Sequence, residues 1–174
     1  YNLAAIASEK LHDFEQAVEW NTKTLSLTDN PRVIRRLLGS YVKAGNEFYS
    51  VEREKSLSYF GKAVSCYEDN LAKNSAYEDK TYYAEALCML GRNSESINCL
   101  LELGQLSKTD VINCKIHYLL SLNYYMTNSY ADSMRYCQTA IQKYNNLDAR
   151  RREQIDVVNL KKLAQGLNCT EEIK

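Results

Sequence analysis

The chain has 174 residues, with 22 Lys plus Arg against 22 Asp plus Glu and a formal net charge of zero. That balance weighs against a general nucleic-acid or membrane-surface role, which needs a field of one sign. No run of about 18 apolar residues occurs, so no candidate membrane span is present. One Pro and six Gly leave few breakers, which suits long helices joined by short turns.

The elements follow from caps, breakers and apolar spacing. A first helix is predicted over 2–11 and a second over 13–27. Thr28-Asp29-Asn30-Pro31 ends the second and opens a third, because Asn30 can cap and Pro31 suits the first helical position. From there Val33, Ile34, Leu37, Leu38 and Tyr41 recur at spacings of three and four, one apolar stripe of a helix. Ala44-Gly45-Asn46 reads as the next turn, unless Glu47-Phe48-Tyr49 extends the helix. Its partner carries Leu57, Phe60, Ala63, Val64 and Tyr67. Two further pairs are predicted over 77–90 with 94–105 and 110–127 with 131–144, hinged at Gly91-Arg92-Asn93 and Asn128-Ser129. A last, charged helix over 148–166, with Arg150-Arg151-Arg152-Glu153, reads as the polar cap of an exposed end.

The pairs are versions of one another. Ala4-Ala5 with Phe14, Ala17 and Trp20 comes first, followed by Tyr41, Gly45, Tyr59-Phe60 and Ala63. Tyr83-Ala84, Leu87, Gly91 and Cys99-Leu100 make the third, and Leu120-Ser121, Tyr124, Tyr136-Cys137 and Ala140 the fourth. With His12, Gly45, Gly91 and Asn128 as equivalent turns, the pitch is 33, 46 and 37 residues. Self-similarity at about 30–50 residues marks a solenoid of stacked helix pairs. Small residues let the paired helices cross closely, and aromatic rings fill the space beside them.

These residues resemble the tetratricopeptide repeat, over about residues 1–144. The resemblance implies an all-α, right-handed solenoid spanning 1–174 as a single domain. Its repeats fall at about 1–30, 31–73, 76–107 and 109–146, with a capping helix over 148–166. The third repeat departs most from the pattern, with Ser96 and Leu103 at the two alanine positions. Other helix-pair solenoids share the same broad features. The N-terminus lacks the basic region and apolar block of a signal peptide and begins inside a helical pattern, as expected of a fragment of a longer protein.

Tetratricopeptide repeats line a concave groove with the first helix of each pair. The resemblance therefore implies a partner-binding surface graded along the chain. Arg32, Arg35 and Lys43 would form a basic patch, followed by Glu78, Thr81, Glu85 and Met89, then an apolar end of Tyr118, Leu122, Tyr125 and Met126. Such a surface suits an amphipathic helix or an extended peptide of a partner protein. A plain solvated face is the alternative for Arg32, Arg35 and Arg36. The subclass that clamps a terminal carboxylate with Lys and Asn is disfavoured, because the corresponding positions hold Asn2 and Ile6, Arg35 and Gly39, Thr81 and Glu85, and Tyr118 and Leu122.

Nothing in the sequence points to catalysis, a cofactor or a metal. His12 and His117 are far apart, with no Cys or carboxylate at metal-site spacing. No phosphate-cradling loop or nucleophile elbow occurs. Cys66, Cys88, Cys99, Cys114, Cys137 and Cys169 include no CxxC pair and read as buried free thiols in a reducing compartment. Asn168-Cys169-Thr170 matches the N-glycosylation pattern, which matters only in a secreted protein.

The expected function is a non-catalytic, intracellular protein-interaction scaffold. One alternative is the sensory part of a bacterial regulator. A second is a subunit of a nuclear or meiotic assembly, which the Tyr1-Asn2-Leu3-Ala4 and Ala17-Val18-Glu19-Trp20 segments resemble. A third, an RNA-binding repeat using Arg32, Arg35, Arg36 and Arg150 to Arg152, would be salt-sensitive.

Overall fold

A computed structural model describes residues 1–106, 109–169 and 172–173. Those residues form ten helices and no strand. They are α1 (Asn2–Lys10), α2 (Phe14–Leu25), α3 (Pro31–Phe48), α4 (Arg53–Asn70), α5 (Tyr77–Met89), α6 (Asn93–Leu106), α7 (Asp110–Met126), α8 (Tyr130–Asn145), α9 (Ala149–Arg152) and α10 (Val157–Gly166). Ser107, the expected end of the third repeat, and Thr170 of the glycosylation pattern lie outside the described residues. The chain divides into two compact units, Tyr1–Leu90 and Gly91–Lys174.

In the first unit each helix packs on its neighbour in sequence, and α3 also packs on α5. Local chemistry sets the helix starts. Asp13 accepts the Gln16 amide at 3.0 Å to cap α2, and Asn30 accepts the Arg32 amide to cap α3, with Pro31 in its first turn. Turns after first helices use left-handed residues: His12 at φ 59°, Gly91 at 78° and Asn128 at 60°. The second pair departs from that rule and corrects the expected hinge. Gly45 lies inside α3, which runs on to Phe48, and residues 49–52 make the turn instead. The first helices thus end at Lys10, Phe48, Met89 and Met126, at intervals of 38, 41 and 37, a more even pitch than the glycine alignment implied.

Gly45 has a different task. A Cβ there would sit 2.8 Å from the fully buried ring of Phe60 on α4, so only glycine lets α3 and α4 cross this closely. The Ser56 hydroxyl crosses the same gap to donate to the Gly45 carbonyl at 2.7 Å. The second unit repeats the device without glycine. Ser121 on α7 donates to the Ser133 carbonyl and Ser133 on α8 donates to the Ser121 carbonyl, both at 2.8 Å. The small residues of the repeat pattern are therefore crossing points, and serine serves because its hydroxyl finds a backbone acceptor.

The second unit holds α6 on α7, α7 on α8, and α8 on α10. Its core gathers Cys114, Cys137, Ala140 and Ile141 from the pair with Leu160, Leu163, Ala164 and Leu167 from the C-terminal segment. The single helix expected over 148–166 is two. Asp148 caps α9, and Asp156 caps α10 by accepting the Asn159 amide at 3.0 Å. The arginine run is not simply an outer polar face. Arg152 donates to the Leu147 and Asn145 carbonyls at the end of α8, while Arg151 pairs with Asp148 and Asp110. Arg150 is exposed.

Replacing a helix-interior glycine with alanine normally stabilises by about 1 kcal/mol. Gly45→Ala is expected to do the reverse, because the Phe60 ring must be displaced from a packed core, costing roughly 1–3 kcal/mol. A thermal melt checks it, and a raised Tm would contradict the crossing.

Candidate functional site

Three first helices of the first unit, α1, α3 and α5, line one cleft of about 250 Å³. Arg35, Gly39 and Lys43 recur at intervals of four, which places them on one stripe of α3. Glu9 on α1 and Glu78, Asp79 and Tyr82 on α5 complete the wall, with Arg36 beside them. Gly39 allows the Tyr82 ring to lie against α3, where a Cβ would be 3.3 Å from it.

The charges in this cleft are held in place. Asp79 is almost fully buried, and its Oδ2 accepts both Arg35 Nε at 3.0 Å and the Ala76 amide at 2.7 Å. The second bond satisfies an amide at the start of α5, so Asp79 caps the helix and neutralises the arginine together. Arg35 also donates to the Asn74 carbonyl at 2.9 Å, pinning the α4–α5 connection. Glu9 accepts from Ser40 at 3.2 Å and from the buried Asn21 at 3.4 Å. Lys43 lies over the Phe14 ring, 5.5 Å from its centroid. Burial pushes the Tyr82 phenol well above its usual range, and Glu78 and Glu85 push the same way, so it stays neutral.

Arg35, Lys43 and Glu78 of the expected surface therefore line one cleft. Arg32 is exposed but outside its lining. Glu85 is half-buried and accepts from Asn46 at 2.8 Å, joining α5 to α3. Thr81 and Met89 face inward and are buried at 3% and 9% exposure, which corrects their placement on an open surface. The remaining four residues belong to the second unit. Tyr118 and Leu122 are half-buried and pack against the core of that unit. Tyr125 is exposed, with its ring edge-on to Tyr130 and its hydroxyl close to Gly166; Met126 is half-buried.

Tyr82 was missed in sequence, although it stands four residues after Glu78 on the same stripe. A larger recess of about 650 Å³ was missed as well. It lies among α2, α3 and α4, with Leu25, Ile34, Leu37 and Tyr41 as apolar lining and Gly61 on its α4 wall. The sequence signal for it is Gly61, a helix-interior glycine whose Cβ would meet nothing within 4 Å.

Among the described residues no group of three or more His, Cys, Asp or Glu is set to hold a metal, and no helix is long and apolar enough to cross a membrane. His117 on α7 donates from Nδ1 to the Asn113 carbonyl at 2.7 Å and lies beside Tyr136. Burial lowers its pKa, with the Asn113 bond opposing.

Two outcomes are expected. Arg35→Ala strands the buried Asp79 carboxylate and lowers unfolding free energy by roughly 1–3 kcal/mol, trimmed by solvent at the guanidinium edge. Arg32→Ala stays within about 0.5 kcal/mol, and urea melts of the two compare them. For His117 the unfolded state, at the ordinary pKa of about 6.5, binds its proton first as pH falls. The His117 contribution to stability is thus complete above that pH and lost on acidification below it. His117→Gln should flatten that part of a Tm-against-pH curve, and an unchanged curve contradicts the assignment. No family model, curated protein or solved structure matches this chain.

Proposed function

We propose that the protein is a non-catalytic interaction scaffold, a tetratricopeptide-like helical repeat that takes a segment of a partner protein into the cleft of its first unit. The observation that carries this reading is that three successive first helices converge on one cleft. Such convergence is what stacked helix pairs produce when their first helices line a common surface. The even pitch of 38, 41 and 37 residues supports the repeat assignment; the right-handed sense comes with the family resemblance.

The cleft's size and chemistry favour a peptide. At about 250 Å³ it falls below the roughly 300–1,000 Å³ usual for an enclosed small-molecule site, and it fits a few side chains of a passing chain. Its cations and carboxylates are interleaved around one phenol ring, so it suits a mixed-charge segment better than a polyanion. Glu9 and Asp79 are engaged with Ser40, Asn21, Arg35 and the Ala76 amide, which gives both a structural task. The six cysteines are thiols in the structure, which fits a reducing, intracellular setting.

The test reverses one charge of each sign without touching the Arg35–Asp79 pair. Wild type and the Lys43→Glu, Glu78→Lys double variant are used as bait, and the captured protein is added back for hydrogen exchange. A partner lost with the variant, and slowed exchange along α3 and α5 on adding it, is expected. Equal capture by both baits, or protection confined to other helices, contradicts the proposal.

A further inference from the structure

We propose that the recess among α2, α3 and α4 is a small-molecule site, and that its ligand is a slender zwitterion with an apolar body and opposite charges at its two ends. The recess holds about 650 Å³, inside the roughly 300–1,000 Å³ usual for a small-molecule site. Ile34, Leu37 and Tyr41 form its α3 wall at the spacing of one helix stripe. With 3.6 residues per turn, that stripe lies opposite the Arg35, Gly39 and Lys43 stripe of the cleft. The two sites therefore share α3 but no lining residue.

The opening has a structural cause. Near the start of both helices, Glu15 on α2 accepts from Lys55 on α4 at 3.0 Å and from the Tyr59 hydroxyl at 2.9 Å. This clamp holds α2 and α4 together at one end. Beyond it, α2 stops at Leu25 while α4 runs on to Asn70. The α4 wall there carries Ser58, Gly61 and Ser65. Such small side chains do not fill the gap, and a Cβ at Gly61 would meet nothing within 4 Å.

The two ends of the recess differ in charge. The Tyr41 ring packs against Tyr59 with centroids 6.3 Å apart, and Lys62 Nζ lies 5.3 Å from the Tyr59 centroid. The cation of the lining is therefore at the Tyr41 end. Its carboxylate, Asp29, lies in the turn just before α3, at the Ile34 end. Both charges stand at the exposed rim, while Leu37 below them is buried and Leu25 half-buried. The helix from Ile34 to Tyr41 rises about 10 Å at roughly 1.5 Å per residue. A ligand that matches this lining carries an anionic group about 10 Å from a cationic one, with an apolar chain between them. An apolar molecule with a single charge leaves one end unmatched.

The test titrates the whole chain, isotope-labelled at its Leu and Ile methyl groups, with ω-aminooctanoate, octanoate and octylamine, read by NMR. Saturable shifts of the Leu25, Ile34 and Leu37 methyl signals are expected with ω-aminooctanoate. Its affinity should exceed that of either singly charged probe by about threefold or more, the size expected of one exposed charge pair. Lys62→Gln should lower the affinity for the zwitterion toward that of octylamine, and Asp29→Asn toward that of octanoate. Gly61→Leu fills the gap from a helical position with room for a side chain. It should abolish the shifts while the Tm holds or rises, because glycine is a poor helix former. Equal affinity for all three probes overturns the proposal, as does wild-type binding by Gly61→Leu. So does the absence of saturable shifts with ω-aminooctanoate, whether or not an amphipathic peptide shifts the same methyl signals.

Discussion

The fold depends on how closely the two helices of a pair can cross. At the α3–α4 crossing the backbone of Gly45 meets the Phe60 ring with no room for a Cβ, and Ser56 spans the gap to its carbonyl. At the α7–α8 crossing Ser121 and Ser133 exchange hydroxyl-to-carbonyl bonds. Larger side chains at these points would force the helices apart and open voids in the packing between them. Because the pairs stay tight, α3 and α5 of the first unit pack side by side with α1 near them. Their stripes then converge on a shared cleft.

That cleft shows one residue serving both stability and surface chemistry. Arg35 is the kind of exposed cation a groove would present, yet its guanidinium is committed to Asp79 and the Asn74 carbonyl. The pair fixes the start of α5 against α3 and thereby sets where Glu78 and Tyr82 stand. Lys43 and Arg36 are the cations whose change leaves this arrangement standing. A charge change at Arg35 would disturb the cleft wall as well as its charge.

Local signals were legible in the sequence and long-range ones were not. Asp13, Asn30-Pro31, Gly91 and Asn128 mark helix ends because a cap or a left-handed turn is decided by a few neighbouring atoms. Gly45 misled because a turn and a close crossing both select glycine, and only the position of Phe60 separates them. The break between α9 and α10 went unread, although Asp156 before two valines is a serviceable cap. On α3 the stripe of Arg35 and Lys43 lines the cleft. On α5 the expected face was rotated toward the core, so Thr81 and Met89 entered it and Tyr82 did not. The Arg35–Asp79 pair joins residues 44 apart, and periodicity carries no trace of it. The packing of α10 on α8 is equally non-local.

On the proposed function, a partner protein occupies the cleft between α3 and α5. Site-specific photo-crosslinking in the native cell tests it most directly, with a photoreactive amino acid placed at Lys43 and, in a parallel protein, at Gly61 in the separate recess. A discrete cross-linked partner is expected from position 43 and none from position 61. Cross-linking from position 61 alone, or none from position 43 while the protein remains folded, would contradict it.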